Sequence, residues 1–176
     1  MVTFYKTIKY ITFPGTMLKG FLEHLFCRIF GIPVEYSDYM QPNQLSGHVE
    51  HMLSGKKGSF GFCWFPHIIM VILGLLVSFP GAVQLFYFGV VDTFSIIFFY
   101  IGVSFLTNAF PLYEDAVNMW EYLYGAGSEG TGKIKKILLW IPAAITYGGS
   151  WLDQYGMTIF LGLIVGAGFP FLVALF

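Results

Sequence analysis

The run from Trp64 to Val91 contains no Asp, Glu, Lys or Arg, and three further segments share that property: Phe94–Phe110, Ile137–Trp151 and Met157–Phe176. A helix that crosses a bilayer takes about 20 apolar residues. These four runs therefore predict an all-α fold, a polytopic helical bundle in a membrane with four main spans. Pro66 and Phe79-Pro80-Gly81 interrupt the first run. It reads either as one kinked, tilted helix or as a span followed by an interfacial piece. Gly162-x-x-x-Gly166 in the last run fits small-residue helix packing.

Composition narrows the function classes. Charged residues are only 11% of the 176-residue chain against 56% hydrophobic, so one compact membrane domain over 1–176 is expected, with the lipid bilayer as its surroundings. No Lys/Arg block is present, which excludes a nucleic-acid partner of the usual electrostatic kind. Cys27 and Cys63 are too few for a disulfide framework and read as small buried apolar residues. Lys6, Lys9 and Pro14-Gly15 do not fit a cleavable signal peptide.

The segment 12–31 differs in kind from the four runs. Phe13-Pro14-Gly15 is expected to turn and deliver Thr16 as the N-cap of a helix from Met17 to Phe30, stopped by Gly31 and Pro33. This helix carries Lys19, Glu23, His24 and Arg28, a poor face for lipid, so it is expected to be re-entrant, interfacial or packed among the spans. Lys19 and Glu23 are four apart and able to pair along one face.

Lysines fall before the spans at 56, 57, 133, 135 and 136, while the short loops between spans carry Asp92 and Asp153. The positive-inside rule then places the 32–60 loop, the 112–136 segment and the C-terminus in the cytoplasm of a multi-pass cell-membrane protein. The 112–136 segment opens with an amphipathic helix over Tyr113–Tyr124, with Val117, Trp120 and Tyr124 opposite Glu114, Asn118 and Glu121. It closes with a glycine-rich linker whose Gly127-x-x-x-x-Gly132-Lys133 spacing mimics a phosphate loop. No strand precedes that linker, and Ile134 stands where a magnesium-binding hydroxyl belongs.

Asn108-Ala109-Phe110-Pro111-Leu112-Tyr113-Glu114-Asp115 places two carboxylates where an apolar run ends, and ionisable groups at membrane depth mark functional sites. Phe13-Pro14-Gly15-Thr16-Met17-Leu18-Lys19-Gly20-Phe21-Leu22-Glu23, then Gly31-Ile32-Pro33-Val34, resembles the opening of a family of small prokaryotic membrane metalloproteases related to the site-2 proteases. Gly47-His48-Val49-Glu50-His51 resembles that family's second landmark. Gly102 to Pro111 with Asp115 resembles its third, an Asn-x-x-Pro…Asp pattern, and Trp151-Leu152-Asp153 fits its C-terminal pattern.

In that family the first helix carries His-Glu-x-x-His. Two imidazoles four apart hold zinc and the intervening Glu activates water, with a third ligand from another helix. The resemblance places Lys19 and Glu23 at the two histidines, Gly20 at the general base, and Asp115, supported by Asn108, at the third ligand. A cation at a ligand position opposes metal binding, and glycine cannot take a proton. The implied protein is a non-catalytic, metalloprotease-like binding or scaffold subunit of a membrane complex, with no cofactor. Lys19 is expected near Asp115, neutralising carboxylates left in the old site. Two other classes stay open. One is a zinc-dependent intramembrane protease with ligands displaced to His24, His48, His51 and Asp115. The other is a small transporter or channel subunit using Lys19, Glu23, Asn108 and Asp115. His67, inside an apolar run just after Pro66, is expected to be interfacial or hydrogen-bonded to a neighbouring helix rather than a ligand.

Overall fold

A computed structural model describes residues 2–38, 48–51, 59–125 and 132–175. The described residues are mostly helical: α1 (Val2–Ile11), α2 (Phe13–Phe30), α3 (Ser59–Ala82), α4 (Thr93–Thr107), α5 (Tyr113–Tyr124), α6 (Lys133–Gln154) and α7 (Thr158–Val173). Strands β1 (Val34–Asp38) and β2 (His48–His51) form an antiparallel ribbon, with Asp38 opposite His48 and an irregularity between Val34 and Tyr36.

Proline sits in the first turn of α2, where its missing N–H costs nothing. The helix ends at Gly31, which adopts the left-handed conformation, and the Ile32 N–H closes back on the Cys27 carbonyl at 2.8 Å. The buried face of α2 holds Lys19, Gly20, Glu23 and Cys27, whereas Phe13, Met17, Phe21, Leu25 and Ile29 form an exposed stripe at every fourth position. That is the inverse of a helix on a water-soluble core, whose apolar stripe faces inward.

α3 runs without a break into π-helical turns over Val83–Tyr87. Ser59–Tyr87 is 29 residues long and apolar enough to cross a membrane. α6 and α7 meet that test only when taken together, and they bend by 117° at their junction. α4, at 15 residues, is a shorter apolar helix. α3 and α4 pack closely because Gly102 lies against the Ser78 backbone with no room for a Cβ. α7 approaches α4 the same way: a Cβ on Gly162 would come within 2.7 Å of the Thr107 hydroxyl. The Gly162-x-x-x-Gly166 face is thus used inside the chain. A core of Cys27, Phe62, Cys63, Met119 and Leu123 joins α2, α3 and α5.

Several expectations need correction. Thr16 is no N-cap: α2 begins at Phe13, and the Thr16 hydroxyl bonds the Phe13 carbonyl at 2.9 Å inside the first turn. The segment expected as the 32–60 loop carries the short β ribbon beside an otherwise helical fold, and its last residues already belong to α3. The run 94–110 is helical only to Thr107, and α6 extends the expected 137–151 span at both ends. Asp153 is not in a loop but in the last turn of α6, 2% exposed. α5 has the expected bounds, but its innermost residues are Asp115, Ala116, Met119 and Leu123. The glycine-rich linker at 126–131 lies outside the described residues.

Candidate functional site

Among the described residues two polar clusters lie inside the bundle. The first gathers the residues that the sequence singled out. Lys19 and Glu23 are 6% and 3% exposed, with the ammonium 3.9 Å from the Glu23 carboxylate. Asp115, also buried, enters from the first turn of α5. The Cys63 thiol bonds the Asp115 backbone carbonyl at 3.6 Å, and Cys63 lines one small cavity with Lys19 and Glu23. Cys63 thus links the Lys19–Glu23 pair to the backbone of α5. The cavity between Lys19, Glu23, Cys63, His67, Ala109 and Pro111 is only about 10 Å³, room for at most one water. His67 stacks on Phe110 at 4.6 Å and its Nδ1 lies 3.3 Å from the Ala109 carbonyl, the bond to a neighbouring segment expected of it. Gly20 is buried on the same face of α2.

Of the displaced ligand set, His24 is partly buried on α2, and His48 and His51 lie on β2, not on a helix that would align them on one face. Among the described residues no group of three or more His, Cys, Asp or Glu side chains is arranged to hold a metal ion.

The second cluster is where the structure takes Asn108, away from a supporting role to Asp115. Asn108 is fully buried and receives the Lys9 ammonium on its Oδ1 at 2.9 Å. Lys9 also donates to both carboxylate oxygens of Asp153, at 2.8 and 3.0 Å. Thr158 donates to Asp153 Oδ1 at 2.7 Å, and the Asn108 amide donates to Thr12 Oγ1 at 2.9 Å. Ser104 ties the same corner, donating to the Thr12 carbonyl and accepting the Gly15 N–H. Lys9, Thr12 and Thr158 were not among the sequence candidates. The one available signal was that Lys9 is a charge four residues before the apolar stripe of α2 begins at Phe13.

No family model matches the chain, and no curated protein or solved structure matches it either.

Proposed function

We propose that this chain is a non-catalytic, metalloprotease-like integral membrane protein that serves as a binding or scaffold subunit of a membrane complex. The observation that carries the reading is the buried Lys19–Glu23 pair, standing where the resemblance places two zinc-binding histidines. A zinc enzyme needs neutral imidazoles, an activated water and an open coordination position. Here the ammonium opposes a second cation, Gly20 offers no base, and about 10 Å³ of space admits no substrate.

The membrane part of the proposal rests on α2 and on the long apolar helices. Lys19 and Glu23 point into the bundle while phenylalanine, methionine, leucine and isoleucine face out, an arrangement suited to surroundings of lipid tails. α3, α4, α6 and α7 are the four spans in this reading. The 32–60 and 112–136 segments and the C-terminus then lie in the cytoplasm, beside the lysines.

Elemental mass spectrometry of detergent-purified protein tests the loss of metal chemistry. Zinc no higher than buffer background is expected, in the natural chain and in Asp115→Ala alike. Near-stoichiometric zinc that disappears in Asp115→Ala overturns the reading. Cross-linking in native membranes tests the scaffold role. A product heavier than the 19.8 kDa chain is expected, and migration as the chain alone contradicts it.

A further inference from the structure

The Lys9 cluster has the build of a ligand site whose ligand belongs to the chain itself. Asp153 Oδ1, Asp153 Oδ2 and Asn108 Oδ1 converge on one point, 2.8, 3.0 and 2.9 Å from the Lys9 nitrogen. Three acceptors match the three N–H donors of a primary ammonium. The acceptors are fixed by bonds that do not involve Lys9. The Asn108 amide is held in one orientation because its Nδ2 donates to the carbonyls of Ser104 (2.8 Å) and Thr12 (3.3 Å), which leaves Oδ1 aimed at the site. Thr158 holds the Asp153 carboxylate in place. The Tyr5 ring lies 5.2 Å from the ammonium and adds a cation–π face.

The helix that delivers the ammonium is short, ten residues, and seats on the α6–α7 turn. Gly156 in that turn has φ +73°, and a Cβ there would come within 3.2 Å of Phe4 and 3.4 Å of Ile8, so glycine serves both the turn and the docking of α1.

We infer that Asp153, Asn108 and Thr158 form a preorganised binding site for a primary ammonium, occupied in the resting chain by Lys9 as a tethered ligand. Without an ammonium the carboxylate is a buried, uncompensated charge, so a chain in which α1 withdraws or lacks its lysine takes a small primary amine in its place. This inference concerns a different cluster from the Lys19 site and does not depend on the protein's being metalloprotease-like.

Chemical rescue tests it. In Lys9→Ala, n-propylammonium restores the atoms removed from the side chain. The thermal midpoint of the detergent-solubilised variant is measured in n-propylammonium, sodium, potassium and choline chlorides at one ionic strength. The expected result is a midpoint a few degrees lower than the natural chain in choline. It then rises with n-propylammonium concentration as mass action requires, while the natural chain responds to none of the salts. Equal response to all four salts, response to sodium or potassium without n-propylammonium, or no response at all overturns the proposal.

Reductive methylation of the natural chain followed by peptide mass spectrometry keeps the test decisive if Lys9→Ala does not fold. Lys9 is expected to stay unmodified while the exposed Lys133 and Lys135 react, and to become reactive in Asp153→Asn. Methylation of Lys9 at the rate of Lys133 in the natural chain overturns the proposal equally.

Discussion

The two buried lysines among the described residues are held in opposite ways. Lys19 pairs within its own helix, one turn from Glu23, at a loose 3.9 Å. Lys9 reaches 144 positions along the chain to Asp153 at 2.8 Å, with Asn108 as a third acceptor. The first pair forms wherever α2 forms and fixes nothing beyond it. The second cannot form until α1, the end of α4 and the α6–α7 turn are assembled, so it specifies how those parts meet. Sequence spacing reveals a pair of the first kind and is blind to the second, although the second has the shorter contacts.

This contrast orders the expected effects of substitution. Asp153→Ala leaves Lys9 buried without its carboxylate and is expected to cost about 3–5 kcal/mol, read as a loss of unfolding free energy in detergent. A loss no larger than that of an exposed substitution would erase the distinction between the pairs. Asn108→Ala removes one acceptor from Lys9 and a donor to Thr12, for an expected cost of about 1–3 kcal/mol in the same assay. The double substitution Lys19→Met with Glu23→Gln removes the local pair while keeping its volume. It is expected to change stability by no more than about 1 kcal/mol, because well-packed neutral side chains replace a buried pair with little loss. A double-mutant cycle on each pair sharpens the comparison: the Lys9–Asp153 coupling is expected to be the larger.

The smallest effect lies outside both clusters. Asp92 caps α4, accepting the Ser95 N–H at 2.9 Å, and hydrogen bonds from Ser95 hold its carboxyl below the usual carboxylate range. A folded-state pKa below the unfolded one adds stability that is present above the unfolded value and lost as pH falls through the folded one. The protection of the Ser95 amide, its exchange rate relative to the intrinsic rate at each pH, is therefore expected to fall on acidification in the natural chain and to lose that pH dependence in Asp92→Asn. An unchanged profile in the variant contradicts the assignment.

The legible parts of the fold are those that local chemistry decides. Gly31 stops α2 where the helix was expected to end, and α5 keeps its expected bounds from Tyr113 to Tyr124. Lys19, Glu23 and Asp115 were legible as candidates because ionisable side chains stand out against apolar runs, and the structure buries all three. What was not legible depends on tertiary contacts. Asp153 reads as a loop residue beside Trp151-Leu152, yet α6 runs on through Gln154 and buries it. The face of α5 turned to the core is set by the packing of Met119 and Leu123 on Cys27 and Phe62, not by the pattern of charges along the helix. Asn108 sits beside the Asp115 segment in sequence, but its amide is claimed by Thr12 and Lys9 from the N-terminal helices.

The central claim is that Lys19 and Glu23 occupy the positions of a metal site whose third ligand, Asp115, remains. It is tested most directly by zinc titration of the folded double variant Lys19→His, Glu23→His, with and without Asp115→Ala. One zinc per chain is expected in the double variant, with weakened binding once Asp115 is replaced, because two imidazoles four apart and a carboxylate from a second helix make a three-ligand site. A folded double variant that binds no zinc, or binds it equally well without Asp115, would contradict the claim.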